Sequence, residues 1–398
     1  MRFPWLILAF IFIPFITQAQ DGLIVGKVVQ EGTTKPIPRA SVFLGNSSVG
    51  SATGEDGTFT LSGVRLGQYT LVVKVLGYED YTKTVLVGRE PIRLNIEMVQ
   101  KPMMLREVVI SSEADWRKNY EAFRKEFIGV DQNAKYCTIM NPRILNLTYN
   151  QTKQLLHADA DEFLIVENKA LGYRIKFLLN DFNIDKISGI ISRSGQRVFE
   201  ELPGTEAQKK LWHQRREEAY YGSAMHFYRS LYTDTYKQQG FIVYRFRRTL
   251  NPLRPSDDVI RQKYKMFREL KRVDSANYYA TLSTYSKYAN ENLMQPPLDQ
   301  FEILNTYSPG IFSLHFINFL YIVYTKKMDD TPDRDLYRPI TQANYAVSVL
   351  TPTAPFALFD MNGIMLQDPP LTEGAWARNR LSDELPVDYV PDHVPDPR

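Results

Sequence analysis

Between Trp212 and Leu231 the chain reads WHQRREEAYYGSAMHFYRSL, and side chains of catalytic type crowd together there. Ser223 precedes His226 by three residues, a spacing that brings two side chains together on one helical face. A hydrolase acting on glycan or peptide would draw on Ser223 and His226, with Arg216 and Glu217 beside them. A Ser–His pair also needs a third group to orient the imidazole and an oxyanion hole, and the sequence shows neither. The same residues fit a long amphipathic helix packed on a sheet. Thr205 and Gln208 have capping-box spacing after Pro203-Gly204. Trp212, Arg215 or Arg216, Ala219, Ser223, His226 or Phe227, and Ser230 or Leu231 then trace one face. Arg215 and Arg216 would pair with Glu217, Glu218 or acids on a strand. Gly222 costs about 1 kcal/mol relative to Ala inside a helix, so a kink or a close backbone approach is expected there. The structural reading is preferred, and no catalytic residue is assigned.

Elsewhere the motifs of covalent and metal chemistry are missing. There is no Gly-x-Ser-x-Gly elbow, no Ser-x-x-Lys and no glycine-rich phosphate loop. A zinc peptidase needs histidines and carboxylates at helical spacing, such as His-x-x-Glu. The residues three after His157, His213, His226 and His315 are Ala160, Arg216, Arg229 and Asn318, and His393 lies in a Pro-rich tail. No metal and no cofactor is therefore expected. Cys137, the single cysteine, sits in the strand-like run AKYCTIM and reads as a small core residue. Asp360, Asn362 and Asp368 miss the EF-hand spacing, and Asn362-Gly363 alone explains a hairpin turn. Asp159, Asp161 and Glu162 fall in a loop, with nothing to favour them as a catalytic pair.

The elements that would position these residues begin with a leader. MRFPWLILAFIFIPFITQAQ has an early cation, an apolar run and small residues at Thr17 and Ala19, so residues 1–19 read as a secretory signal peptide. After it, no apolar run is long enough to cross a membrane as a helix; FSLHFINFLYIVY (Phe312–Tyr324) is too short and reads as core strand. The formal net charge is +3, which gives no case for nucleic acid. Phe241–Arg272 carries ten basic residues against three acidic, while the chain from Met328 onward is acidic.

Residues 21–100 alternate with period two between short turn signals. In YTLVVKVLGY, Tyr69, Leu71, Val73 and Val75 point one way, and Asp56-Gly57 marks a tight hairpin turn. About seven such strands predict a small antiparallel β-sandwich. Residues 101–134 form a linker and a helix, with Ser112 as cap, Asp115 at N3, and Trp116, Tyr120, Phe123 and Phe127 at helical spacing. Residues 135–390 are dense in aromatics and lack long helical patterns. They read as a larger β-rich α+β domain, with a hairpin tip at Ser194-Gly195, and residues 391–398 as a Pro-rich tail. The fold class is thus mainly β, α+β.

Gly26-Lys27-Val28, Lys35-Pro36-Ile37-Pro38, Ala40-Ser41-Val42, Asp56-Gly57-Thr58-Phe59, Gly67-Gln68-Tyr69 and Gly77-Tyr78 together resemble the carboxypeptidase regulatory-like domain, a transthyretin-like β-sandwich. That resemblance implies no peptide hydrolysis, because in the peptidases this domain accompanies a separate zinc domain. Leu105-Arg106-Glu107-Val108-Val109 resembles the stretch that follows a similar domain in TonB-dependent outer-membrane receptors. The rest of the chain is too short for a plug and a barrel of roughly 22 strands. The resemblances imply an exported protein, periplasmic or outer-membrane associated in a Gram-negative bacterium. It would bind or scaffold without catalysis, its partner a glycan or an outer-membrane or TonB-system protein. An envelope hydrolase is the alternative.

Overall fold

The computed structural model describes residues 22–101, 112–330, 336–340 and 342–392. The leader, the Leu105–Val109 motif and His393 lie outside the described residues. Mainly β, the chain has an N-terminal sheet region followed by a larger β-rich α+β part.

Seven strands build the N-terminal region in two sheets. One holds Thr58–Val64, Gly22–Gln30 and Ile92–Met98; the other holds Gly50–Ala52, Ser41–Leu44, Gly67–Lys74 and Tyr81–Val87. Their alternating apolar residues enclose a common core of Ile24, Val28, Val42, Phe59, Leu71, Val73, Val85 and Ile96. The pairing is antiparallel except for Gly22–Gln30 with Ile92–Met98, which run parallel. The chain passes from one sheet to the other between Tyr81–Val87 and Ile92–Met98, and such a crossing does not impose the antiparallel pairing that a tight hairpin does. Asp56-Gly57 likewise turns a corner between the sheets rather than closing a hairpin, with Gly57 at φ +78°.

Helix α1 (Glu113–Ile128) is capped as its sequence predicts, with the Ser112 hydroxyl accepting from the Asp115 amide at 3.1 Å. It buries Phe123 and Phe127 on a six-stranded sheet built around the long strand Tyr173–Asp185. Phe127 meets Phe177 and Phe182 edge to face. Ser194-Gly195 is not the hairpin tip: residues 186–190 make that turn, and Gly195 lies within strand Ile191–Glu201 at a bulge. Its φ is +144°, and a Cβ there would lie 2.0 Å from the Leu178 carbonyl oxygen, so the glycine serves a close strand approach.

Two further sheets complete the structure. One orders Tyr288–Met294, Phe241–Leu250, Phe319–Met328, Tyr345–Thr351 and Leu371–Gly374; the other orders Leu304–Ser308, Ile311–Leu314, Ala357–Asp360 and Met365–Gln367. Asn362-Gly363 makes the turn between the last two strands, with Gly363 at φ +76°. Helices α2 (Glu206–Tyr220) and α3 (Ala224–Tyr232) precede Phe241–Leu250. Helices α4 (Asp257–Glu269) and α5 (Val273–Ser283), which the strand-biased reading missed, link that strand to Tyr288–Met294. Ile260 and Tyr264, four apart and both buried, were the helical signal within that basic stretch. A short helix α6 (Ala375–Arg378) then leads into a C-terminal strap, residues 379–392, which returns to the N-terminal region.

The sandwich is joined to the rest by backbone pairing. Asn46 donates to the Arg197 carbonyl at 2.6 Å and Phe199 to the Ser47 carbonyl at 2.9 Å, beside a shared cluster of Phe43, Val72, Leu178 and Val198.

Candidate functional site

Helices α2 and α3 are where the chemistry-bearing residues meet the sheets. The Thr205/Gln208 capping box is present at the start of α2. Trp212, 7% exposed, is fixed by its indole N–H donating to the Lys169 carbonyl at 3.0 Å. Where one kinked helix was expected, the helix ends at Tyr220 and a second begins at Ala224. Gly222, at φ +83°, sits between them and lies against the Tyr324 ring. A positive φ interrupts the helical ladder outright, so the break is complete.

Ser223 is the N-cap of α3. Its hydroxyl accepts from the backbone amide of His226 at 3.2 Å, the usual duty of a serine that precedes the first turn of a helix. The imidazole is occupied elsewhere. Its Nδ1 accepts from the Gly222 amide at 3.0 Å, and its Nε2–H donates to the Gln239 side-chain oxygen. The Gln239 amide nitrogen donates to Thr235 Oγ1 at 3.0 Å, which holds that oxygen toward the ring. Tyr220, Tyr221, Phe241 and Tyr324 surround His226, which is 1% exposed. Burial lowers its pKa to about 4, so the ring is neutral at pH 7. Ser223 and His226 are thus brought together through a cap, and both ring nitrogens are bonded to other groups.

Arg216 and Glu217 diverge from that pair. The Arg216 guanidinium lies 4.0 Å over the Tyr173 ring, donates from Nε to the Leu171 carbonyl at 2.8 Å, and pairs with Glu201 at 2.6 Å. The expected pairing with a strand acid is present. Glu217 instead neighbours His213 on its own helix.

Arg229 was missed by the sequence reading. Its guanidinium donates to three backbone carbonyls, those of Asn362 (2.9 Å), Tyr389 (2.8 Å) and Val387 (2.7 Å). One side chain thereby ties α3 to the Asn362-Gly363 turn and to the strap. The strap is held from other sides by Val387 N–H donating to the Asn46 carbonyl at 2.8 Å, by Asp388 accepting from the Ser48 amide at 2.7 Å, and by Glu384 paired with Arg193 and Arg197. Asp360 uses one carboxylate oxygen to accept from the Asn362 and Ile364 amides and the other for the Asn362 side chain, which accounts for that turn without calcium.

Beside Gly222 and Ser223 opens a cleft of about 780 Å³. It runs between the end of α1, the α2–α3 break and α6, and its lining includes Glu126, Asp131, Tyr221, Lys327, Trp376, Arg380 and Asp383. Asp383 accepts from the Asn133 amide at 2.8 Å, and Asp131 from the Ser382 hydroxyl at 2.7 Å. Burial first, and then the charge of Asp131, push the Asp383 carboxyl up to about 6.

These shifts give opposing pH effects. His226 has a folded pKa below its unfolded one, so its contribution is present above about pH 6.5 and is lost as pH falls toward 4. Asp360 and Asp383, both raised to about 6, contribute fully below pH 3.8 and lose that contribution as pH rises through 6. Urea unfolding of wild type and His226→Phe at both ends of the range isolates the histidine's contribution. The wild-type advantage is expected to be about 2–3 kcal/mol smaller at pH 4 than at pH 7. An unchanged difference would place no titration at His226.

Residues 24–110 match the CarboxypepD_reg-like domain family. No curated protein matches the chain. Among solved structures, the group B streptococcus pilus 2b backbone protein is similar at 23% identity over 20% of this chain and 41% of its own, with a TM-score of 0.18. A DUF3823 family protein from Bacteroides ovatus is similar at 12% identity over 46% of this chain and 82% of its own, with a TM-score of 0.17. A Bacteroides fragilis protein described as membrane-associated and of unknown function is similar at 9% identity over 88% of this chain and 92% of its own, again with a TM-score of 0.17. The chain spans less than two thirds of the pilus protein's length, and TM-scores this low establish no shared fold. Among the described residues, no helix is long and apolar enough to cross a membrane.

Proposed function

We propose that this protein is an exported cell-envelope binding or scaffolding protein without catalytic activity, and that the cleft beside the α2–α3 break holds a glycan. One observation carries the reading: the nearest catalytic pair, Ser223 and His226, is built into the fold as a helix cap and a buried neutral ring with both nitrogens bonded. The domain match at residues 24–110 agrees with a binding role. The cleft has the size of a small-ligand site, and it mixes carboxylates, cations and the aromatic residues Tyr221 and Trp376. Such a lining suits sugar hydroxyls, which both donate and accept.

Calorimetric titration with muropeptides and O-antigen oligosaccharides tests it. Saturable binding that weakens about tenfold in Arg380→Ala is expected, since one lost charged hydrogen bond is worth about 1.5–3 kcal/mol. Binding untouched by Arg380→Ala, or absent for every glycan, would remove the cleft from the account.

A second reading, an envelope hydrolase, is favoured by Asp383, whose raised pKa beside Asp131 is the environment of a general acid. It predicts product release that disappears in Asp383→Asn and falls above pH 6.

A further inference from the structure

We infer that His213, Glu217 and Asp392 form a zinc-type metal site that clips the end of the C-terminal strap to α2. His213 and Glu217 are four apart on one face of the helix, a spacing that a search at three residues passes over. Asp392 reaches them from the strap. Its Oδ2 lies 2.9 Å from His213 Nε2, and Glu217 Oε1 lies 4.0 Å from the same nitrogen. All three ligand atoms fall within 4.8 Å of one another. Ligands bonded at about 2.0–2.2 Å around a tetrahedral ion lie roughly 3.3–3.5 Å apart, so the observed distances bracket the required ones.

Two further observations agree with a cation at this place. Glu217 Oε1 is buried and receives no hydrogen bond. The Tyr389 side chain, more than nine-tenths buried, also has a hydroxyl without a partner. Tyr389 lies on the strap three residues before Asp392, and burial first, then the charge of Glu217, raise its phenol. A dication here would neutralise the two carboxylates and give Glu217 Oε1 its partner. One imidazole nitrogen with two carboxylates suits zinc, whereas magnesium and calcium prefer all-oxygen sets. His213 would bind through Nε2 with its proton on Nδ1. The site does not depend on the glycan reading.

Zinc chloride titrated calorimetrically into the chelator-stripped full chain at pH 7.5 is the test. One equivalent is expected to bind with low-micromolar affinity, to raise Tm, and to be ineffective when replaced by magnesium or calcium. His213→Ala, Glu217→Gln and Asp392→Asn should each weaken binding by at least about tenfold. The three positions are partly or largely exposed, so the metal-free melting temperatures should match wild type and separate lost ligation from lost folding. Absence of saturable binding at 100-fold excess, or binding that survives His213→Ala, would overturn the site. So would loss on His157→Ala instead, because His157 lies near Asp159 and Asp181. Full affinity in Asp392→Asn would overturn the clip.

Discussion

Arg229→Met is expected to destabilise the protein by about 3–5 kcal/mol in urea unfolding. The arginine makes three hydrogen bonds of 2.7–2.9 Å to the carbonyls of Asn362, Val387 and Tyr389, and its guanidinium lies over the Tyr220 ring. Val387 and Tyr389 are buried, so their carbonyls would lose a charged donor with little water to replace it. Arg229→Lys should recover only a small part of the loss. An ammonium is a point donor and does not reproduce a planar fork facing three acceptors. Limited proteolysis should show the damage locally, with cleavage within residues 379–392 appearing before general unfolding. A variant as stable as wild type, with an uncut strap, would mean that the strap is held without Arg229.

Gly222→Ala should cost about 2–5 kcal/mol although it adds only a methyl group. A left-handed conformation costs an L-residue roughly 1–2 kcal/mol, and overpacking adds about 1–3. At φ +83° the new Cβ would lie 2.6 Å from Cδ1 of Tyr324. The backbone has little freedom to relax, because the Gly222 amide donates to His226 and its carbonyl accepts from the Trp376 indole at 2.7 Å. Near-UV circular dichroism should change along with Tm, since the aromatic cage of His226 includes Tyr324. A near-neutral effect would show that the α2–α3 break is soft.

What the sequence revealed follows from the range of each signal. Period-two alternation locates strands, and the sandwich strands fall where it predicts; alternation is blind to direction, so the parallel pair of Gly22–Gln30 with Ile92–Met98 was not visible. Ser112 and Thr205 cap their helices as their spacing requires, because capping is decided within four residues. Turn residues report local φ but not what the turn joins. Asn362-Gly363 closes a hairpin, Asp56-Gly57 crosses between sheets, and Gly195 sits in a bulge. Gly222 was legible as a disturbance, and its neighbour Tyr324 was not. Least legible were partners more than a hundred residues apart: Arg229 with Val387 and Tyr389, and His213 with Asp392. No periodicity links α2 and α3 to a strap at the far end of the chain, so a cluster with the residue types of an active site carried no sign of its structural work.

We propose that the α2–α3 break organises a protein that holds its ligand without transforming it. Mass spectrometry of muropeptides incubated with the purified full chain over several hours tests this most directly. The muropeptides should be recovered intact, from wild type and from Ser223→Ala alike. Shortened products accumulating beyond one equivalent, and disappearing in Ser223→Ala or Asp383→Asn, would contradict it.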